Sequence, residues 1–166
     1  MKNLAVFPIL IGVLILQSAV VSRLTLLSGF ADLVLLLLTG LALHKQANTA
    51  WHWAVLAGLS TGFMSAAPFW AIMAGYLGVV GLARLMQRRV WESPVLAMFL
   101  VTFTGTLWMH MLTYVGLLFA GTPLPLEDTF SLVTLPSLFI NMILAIPAYT
   151  LVRDLANWLY DVERMI

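Results

Sequence analysis

Six stretches of this sequence are apolar over lengths that suit a bilayer: residues 4–21, 24–43, 50–64, 68–86, 94–120 and 132–152. Only two charged side chains, Asp32 and Arg84, fall inside them. A hydrocarbon core about 30 Å thick takes about 20 residues of helix, because each backbone N–H and C=O must find its partner within the segment. The third stretch is short, and Ser28-Gly29 offer a later start to the second. The sequence therefore predicts an all-α integral membrane protein with six transmembrane helices, forming one domain over residues 1–166. Charged residues make up 9% of the chain, against roughly a quarter in soluble domains, which leaves too few to coat a water-facing surface.

The basic residues set the orientation. With residue 1 in the cytoplasm, Lys2, Lys45, Arg84, Arg88, Arg89, Arg153 and Arg164 lie inside and Arg23 alone lies outside. Such a bias places both termini of a multi-pass membrane protein in the cytoplasm. Five helices in place of six would scatter the same residues over both sides. Glu127 and Asp128 occupy the longest outer loop, but acids are a weak topological signal.

Other classes are excluded by what is missing. The formal charge of +1 gives no nucleic-acid footprint, and the absence of cysteine removes disulfides, thiolate metal sites and thiol nucleophiles. Met1-Lys2-Asn3 and the apolar run after it also fit a signal peptide, with Ser18-Ala19-Val20 as a poor cleavage region; the segment is expected to be retained.

The linker 65–68 between the third and fourth spans is uncharged and very short, so those helices must pack antiparallel. Ala54, Gly58, Gly62 and Ala66 recur every four residues, as do Ala71 with Gly75 and Ala74 with Gly78. Small residues at this spacing let helix backbones approach closely. The expectation is that these faces meet each other, with a partner helix as the alternative. Arg88, Arg89 and Trp91 make a basic turn with an interfacial aromatic, suited to anionic lipid or to a cytoplasmic partner. After Pro136 and Pro147, Leu155, Trp158, Leu159 and Val162 recur at helical spacing, which predicts an amphipathic cytoplasmic end over 153–166, lying along the membrane surface.

Polar groups at depth are the natural functional candidates. Asp32 is expected in the first turn of a helix, where the dipole favours a carboxylate, paired with Arg23 at the outer end of the first hairpin; a ligand or partner contact is the alternative. Asn141 is expected to hydrogen-bond a neighbouring helix, and His110 to be a satisfied interior histidine. His44 and His52 flank a turn with no acid or cysteine at metal spacing. No second carboxylate accompanies Asp32 for aspartyl chemistry, and neither a Gly-x-Ser-x-Gly elbow nor a phosphate-cradling glycine loop occurs. No catalytic, metal-binding or cofactor-binding residue is expected.

Taken in order, Gly29-Phe30-Ala31-Asp32-Leu33-Val34-Leu35, Gly58 and Gly62 before the tight hairpin, Gly75-Tyr76, Leu135-Pro136-Ser137-Leu138-Phe139-Ile140-Asn141-Met142 and Pro147-Ala148-Tyr149 resemble the rod shape-determining protein MreD family. Members commonly carry Pro-Asp-Leu where this chain has Ala31-Asp32-Leu33, and an acid after the second glycine where it has Met64 or Ser65. The aspartate and asparagine carry over to Asp32 and Asn141; the second acid does not. The resemblance implies a non-enzymatic scaffold of the bacterial cell-elongation machinery. Its partner would be the single-span membrane protein MreC, with RodA, its transpeptidase and MreB further along, in the service of rod shape and lateral-wall peptidoglycan synthesis. It also implies an S-component-like bundle, since the family's fold is similar to the substrate-binding S-components of energy-coupling-factor vitamin transporters. Such a vitamin-binding component is the alternative function, although the first span lacks the Ala-x-x-x-Ala-like docking pattern that goes with it.

Overall fold

The computed structural model describes residues 6–19, 27–45, 47–89, 93–122 and 124–160. Among them are seven helices and no β-strand: α1 (Val6–Ala19), α2 (Leu33–Leu43), α3 (Ala50–Met64), α4 (Phe69–Arg89), α5 (Pro94–Phe119), the single turn α6 (Leu126–Asp128) and α7 (Leu135–Tyr160). A π-helical turn, Thr129–Thr134, joins α6 to α7 without a break. Three helical stretches, Phe69–Arg88, Pro94–Phe119 and Leu126–Tyr160, are long and apolar enough to cross a membrane, while α1 and α2 are apolar but shorter. The chain is all-helical, and its apolar helices fit a membrane protein.

The helix starts follow local chemistry. Pro94 opens α5, where its missing N–H removes no helical bond. The 15 residues of α3 match the third apolar stretch. The second stretch behaves differently: among its described residues, 27–43, only the last 11 are helical, a rise of about 16 Å, too little to cross a bilayer unaided.

That short helix is the centre of the molecule. Every position from Val34 to Ala42 is buried, the signature of a helix surrounded by protein, and α2 packs against α1, α3, α4, α5 and α7. Gly40 makes room for α7, since a Cβ there would lie 2.7 Å from a methyl of Val152.

The glycine faces sort themselves by neighbour. A Cβ on Gly58 would approach the Met73 sulfur to 2.9 Å, and one on Gly62 would come within 2.6 Å of the Phe69 ring, so these two glycines seat α4 against α3 as expected. Gly75 and Gly78 do not join them. Their missing side chains are replaced by Met109 and Trp108 of α5. The small-residue repeat on α4 thus serves the α4–α5 contact, because bulky knobs from α5 need the hollows more than α3 does.

One end of the bundle is basic and the other acidic. At the basic end, His44 Nε2 lies 3.1 Å from Asn157 Oδ1 and Thr49 Oγ1 lies 3.0 Å from the Tyr160 hydroxyl, tying the α2–α3 turn to α7. Arg84 donates to the Ala47 carbonyl and Gln87 Nε2 to that of Leu43 at 3.2 Å, tying in α4. Glu127 and Asp128 occupy the far end, and the described residues of the latter include no Lys or Arg. The expected surface-lying segment after residue 152 continues α7 without interruption to Tyr160: Val152, Ala156 and Leu159 are buried, and Trp158 is exposed. The rest of that segment, Val162 included, lies outside the described residues.

Candidate functional site

The most polar feature of the interior is where the chain enters α2. Residues 29–32 are non-helical and follow a turn at 27–28, and alternate N–H groups of such a backbone point the same way. Ser28 donates to the Leu132 carbonyl at 3.1 Å, Phe30 to Ser137 Oγ at 3.1 Å, and Asp32 to Asn141 Oδ1 at 2.8 Å. The three acceptors climb one face of the π turn and α7. Leu132 is suited to its part because Pro136, four residues on, has no N–H to offer its carbonyl. Backbone N–H groups outside a helix must still find partners, and this rung pattern pairs three of them. Gly29 is obligatory to the fit: a Cβ would lie 2.6 Å from Ser137 N, 2.7 Å from Pro136 Cβ and 2.9 Å from the Val133 carbonyl.

Asp32 is the N-cap of α2, one residue ahead of the first turn in which the sequence placed it. Its Oδ1 accepts from Leu35 N at 2.8 Å, which satisfies one of the unpaired donors of a helix start. The Tyr76 hydroxyl, from α4, donates to Oδ1 and Oδ2 at 3.3 and 3.4 Å. Two further donors at this helix start, Leu33 N and Val34 N, are accepted by Gln17 Oε1 of α1 at 2.7 and 3.3 Å. Arg23, the expected ionic partner, lies outside the described residues.

Asn141 is buried and uses both ends of its amide. Oδ1 takes Asp32 N, and Nδ2 donates to Thr106 Oγ1 on α5 at 3.1 Å. One side chain therefore holds α7, α5 and the lead into α2 together. Sequence reading identified Asp32 and Asn141 singly but not their link, it quoted Tyr76 and Ser137 without giving them a role, and it missed Gln17 and Thr106. Gln17 had a signal, as the only amide in the first apolar stretch. Gly58, Gly62, Gly75 and Gly78 stand apart from this network, as packing positions.

Above the network lies a cavity of about 300 Å³, with Gln17, Asp32, Tyr76, His110, Tyr114 and Thr113 among its lining residues. It lies toward the acidic end and is bounded by α3, α4 and α5. His110 Nδ1 is 3.2 Å from Thr134 Oγ1, so that ring is tied to the π turn. Among the described residues no group of three His, Asp or Glu side chains is placed to hold a metal ion. The arrangement offers one carboxylate, already engaged by a backbone N–H and a phenol, in a mostly apolar wall that also carries hydroxyls and the Gln17 amide. It can hold helices in register or hold a small polar molecule.

No protein-family model, no curated protein and no solved structure matches the chain.

Proposed function

We propose that the chain is a non-enzymatic membrane scaffold of the bacterial cell-elongation machinery, binding MreC in the inner membrane and through it serving lateral-wall peptidoglycan synthesis. One observation carries this reading. Two of the segments that carry the resemblance to the MreD family, Gly29 to Asp32 and Leu135 to Asn141, are far apart in sequence yet joined rung by rung through Phe30–Ser137 and Asp32–Asn141 hydrogen bonds. Their polar residues thus form one structural unit, and Asp32 spends its oxygens on internal donors, as a scaffold residue would.

The reading includes six crossings with both termini cytoplasmic. The clustering of Lys45, Arg84 and Arg88 at one end of the bundle supports it, by the preference of basic residues for the cytoplasmic side. Activity-reporter fusions after Met86 and after Gly121 are expected to report opposite sides of the membrane. Reports from the same side would overturn the topology.

The cavity beside Asp32 favours a second reading, a substrate-binding component of a small-molecule transporter, since its volume suits a small ligand. Purification of the tagged chain from native bacterial membranes separates the two. A single-span protein recovered in near-stoichiometric amount is the expected result; a stoichiometric small molecule in the mass spectrum, with no such protein, would replace the scaffold reading by the transport one.

A further inference from the structure

At the basic end, the α2–α3 turn and the last two turns of α4 enclose a groove of about 540 Å³. Lys45, Arg84 and Arg88 line it together with Asn48, Gln87 and Trp51, and none of its described lining residues is acidic. Arg84 is held in place by the Ala47 carbonyl and by Gln87 Oε1 at 3.1 Å. Among the described residues those bonds use two of the five N–H donors of the guanidinium, leaving three to meet an anion. The C-terminal end of α4 would by itself repel one; three cations reverse that local field. The opening at Gly81 faces the Trp51 ring, the nearest atom to a Cβ there at 3.5 Å.

A second feature starts where the groove ends. Trp51, Val55, Leu59 and Phe63 follow one another at four-residue intervals on α3, and all are exposed, Phe63 at 82%. Twelve residues of helix carry this stripe about 18 Å, close to the half-thickness of a hydrocarbon core about 30 Å across. Trp51 belongs to both groove and stripe. Cationic pocket and apolar track are therefore continuous, one at the depth of a headgroup and the other running inward.

We propose that this groove binds the phosphate of an anionic phospholipid headgroup, with an acyl chain of the same lipid lying along the Trp51–Phe63 stripe of α3. The proposal rests on the membrane reading and is independent of the scaffold reading. Phosphate is the chemistry that matches an Arg fork with Lys and Arg beside it, and the stripe assigns the phosphate to a lipid and not to a free anion.

Native mass spectrometry of the purified full-length chain tests this without any substitution. With equimolar dioleoylphosphatidylglycerol and dioleoylphosphatidylcholine, the anionic lipid should be retained at least about five-fold over the zwitterionic one, the factor that one basic residue contributes near a charged surface. Equal retention overturns the proposal. Thermal unfolding in a neutral detergent supplies the second arm: the anionic lipid should raise the melting temperature, and phosphatidylcholine and millimolar inorganic phosphate should not. An equal rise with inorganic phosphate would overturn the assignment to a lipid. The double variant K45Q/R88Q, at two exposed positions, should weaken the apparent affinity roughly 30-fold, whereas R153Q, outside the groove, should leave it unchanged. Full retention by K45Q/R88Q would place the lipid elsewhere.

Discussion

Gly29→Ala is expected to lower the stability of the purified protein by about 2–4 kcal/mol, from overpacking together with strained hydrogen bonds. The added methyl would lie 2.6 Å from Ser137 N and 2.9 Å from the Val133 carbonyl. Both are backbone atoms of a packed helix and cannot swing aside. The non-helical segment must then lift off α7, and the rungs from Ser28, Phe30 and Asp32 lengthen together. Gly12→Ala is the matched control, since a Cβ there meets nothing within 4 Å and a helix gains up to about 1 kcal/mol from that change. Thermal unfolding in detergent should separate the two variants by on the order of 10 °C. Equal melting temperatures would mean that the approach of the backbone at Gly29 is looser than the geometry given above.

Asp32→Leu carries the second large effect. It removes the N-cap of α2, worth about 1 kcal/mol, and leaves the buried Tyr76 hydroxyl, 1% exposed, without the acceptor it now uses, a further cost of about 1–3 kcal/mol. Asp32→Asn should be far milder. Its carbonyl oxygen can still accept from Leu35 N, and the Tyr76 hydroxyl can turn to accept from the new amide. The paired substitution Asp32→Leu/Tyr76→Phe removes the stranded hydroxyl and should recover part of the loss. Unfolding curves for the three variants check the order Leu worst, Leu/Phe intermediate, Asn mildest. If Asp32→Asn is as damaging as Asp32→Leu, charge and not hydrogen bonding is what the site requires.

Much of this architecture could be read from the residues. The third and fifth apolar stretches coincide with α3 and nearly with α5 because Ser65 and Pro94 mark their ends in the chain itself. A lone aspartate at the head of a leucine run announced a helix start, and a lone asparagine in the last span announced a bond between helices. Apart from the α3–α4 contact at Gly58 and Gly62, what failed was the choice of which surfaces meet. Spacing shows that Gly75 and Gly78 form a hollow, but Met109 and Trp108 fill it, and nothing within α4 names them. The period of the second apolar stretch is likewise that of any apolar run, and the non-helical lead-in at residues 29–32 is held by acceptors on α7 about a hundred residues away. Gln17 announces itself as polar, while its target, the opening N–H groups of α2, exists only once α2 has been cut short.

The enclosed position of α2 has a consequence for the order in which the protein is made. Its lead-in donates to Ser137 and Asn141, which follow it by 107 and 109 residues. At the usual pace of protein synthesis, about 5–20 residues per second, those acceptors emerge roughly 5–20 s after the donors. During that interval the nascent chain has already delivered α3, α4 and α5, and the Phe30 and Asp32 amides must wait for partners not yet synthesised. The centre of the bundle is therefore the last part to close, and α7 is the latch that closes it.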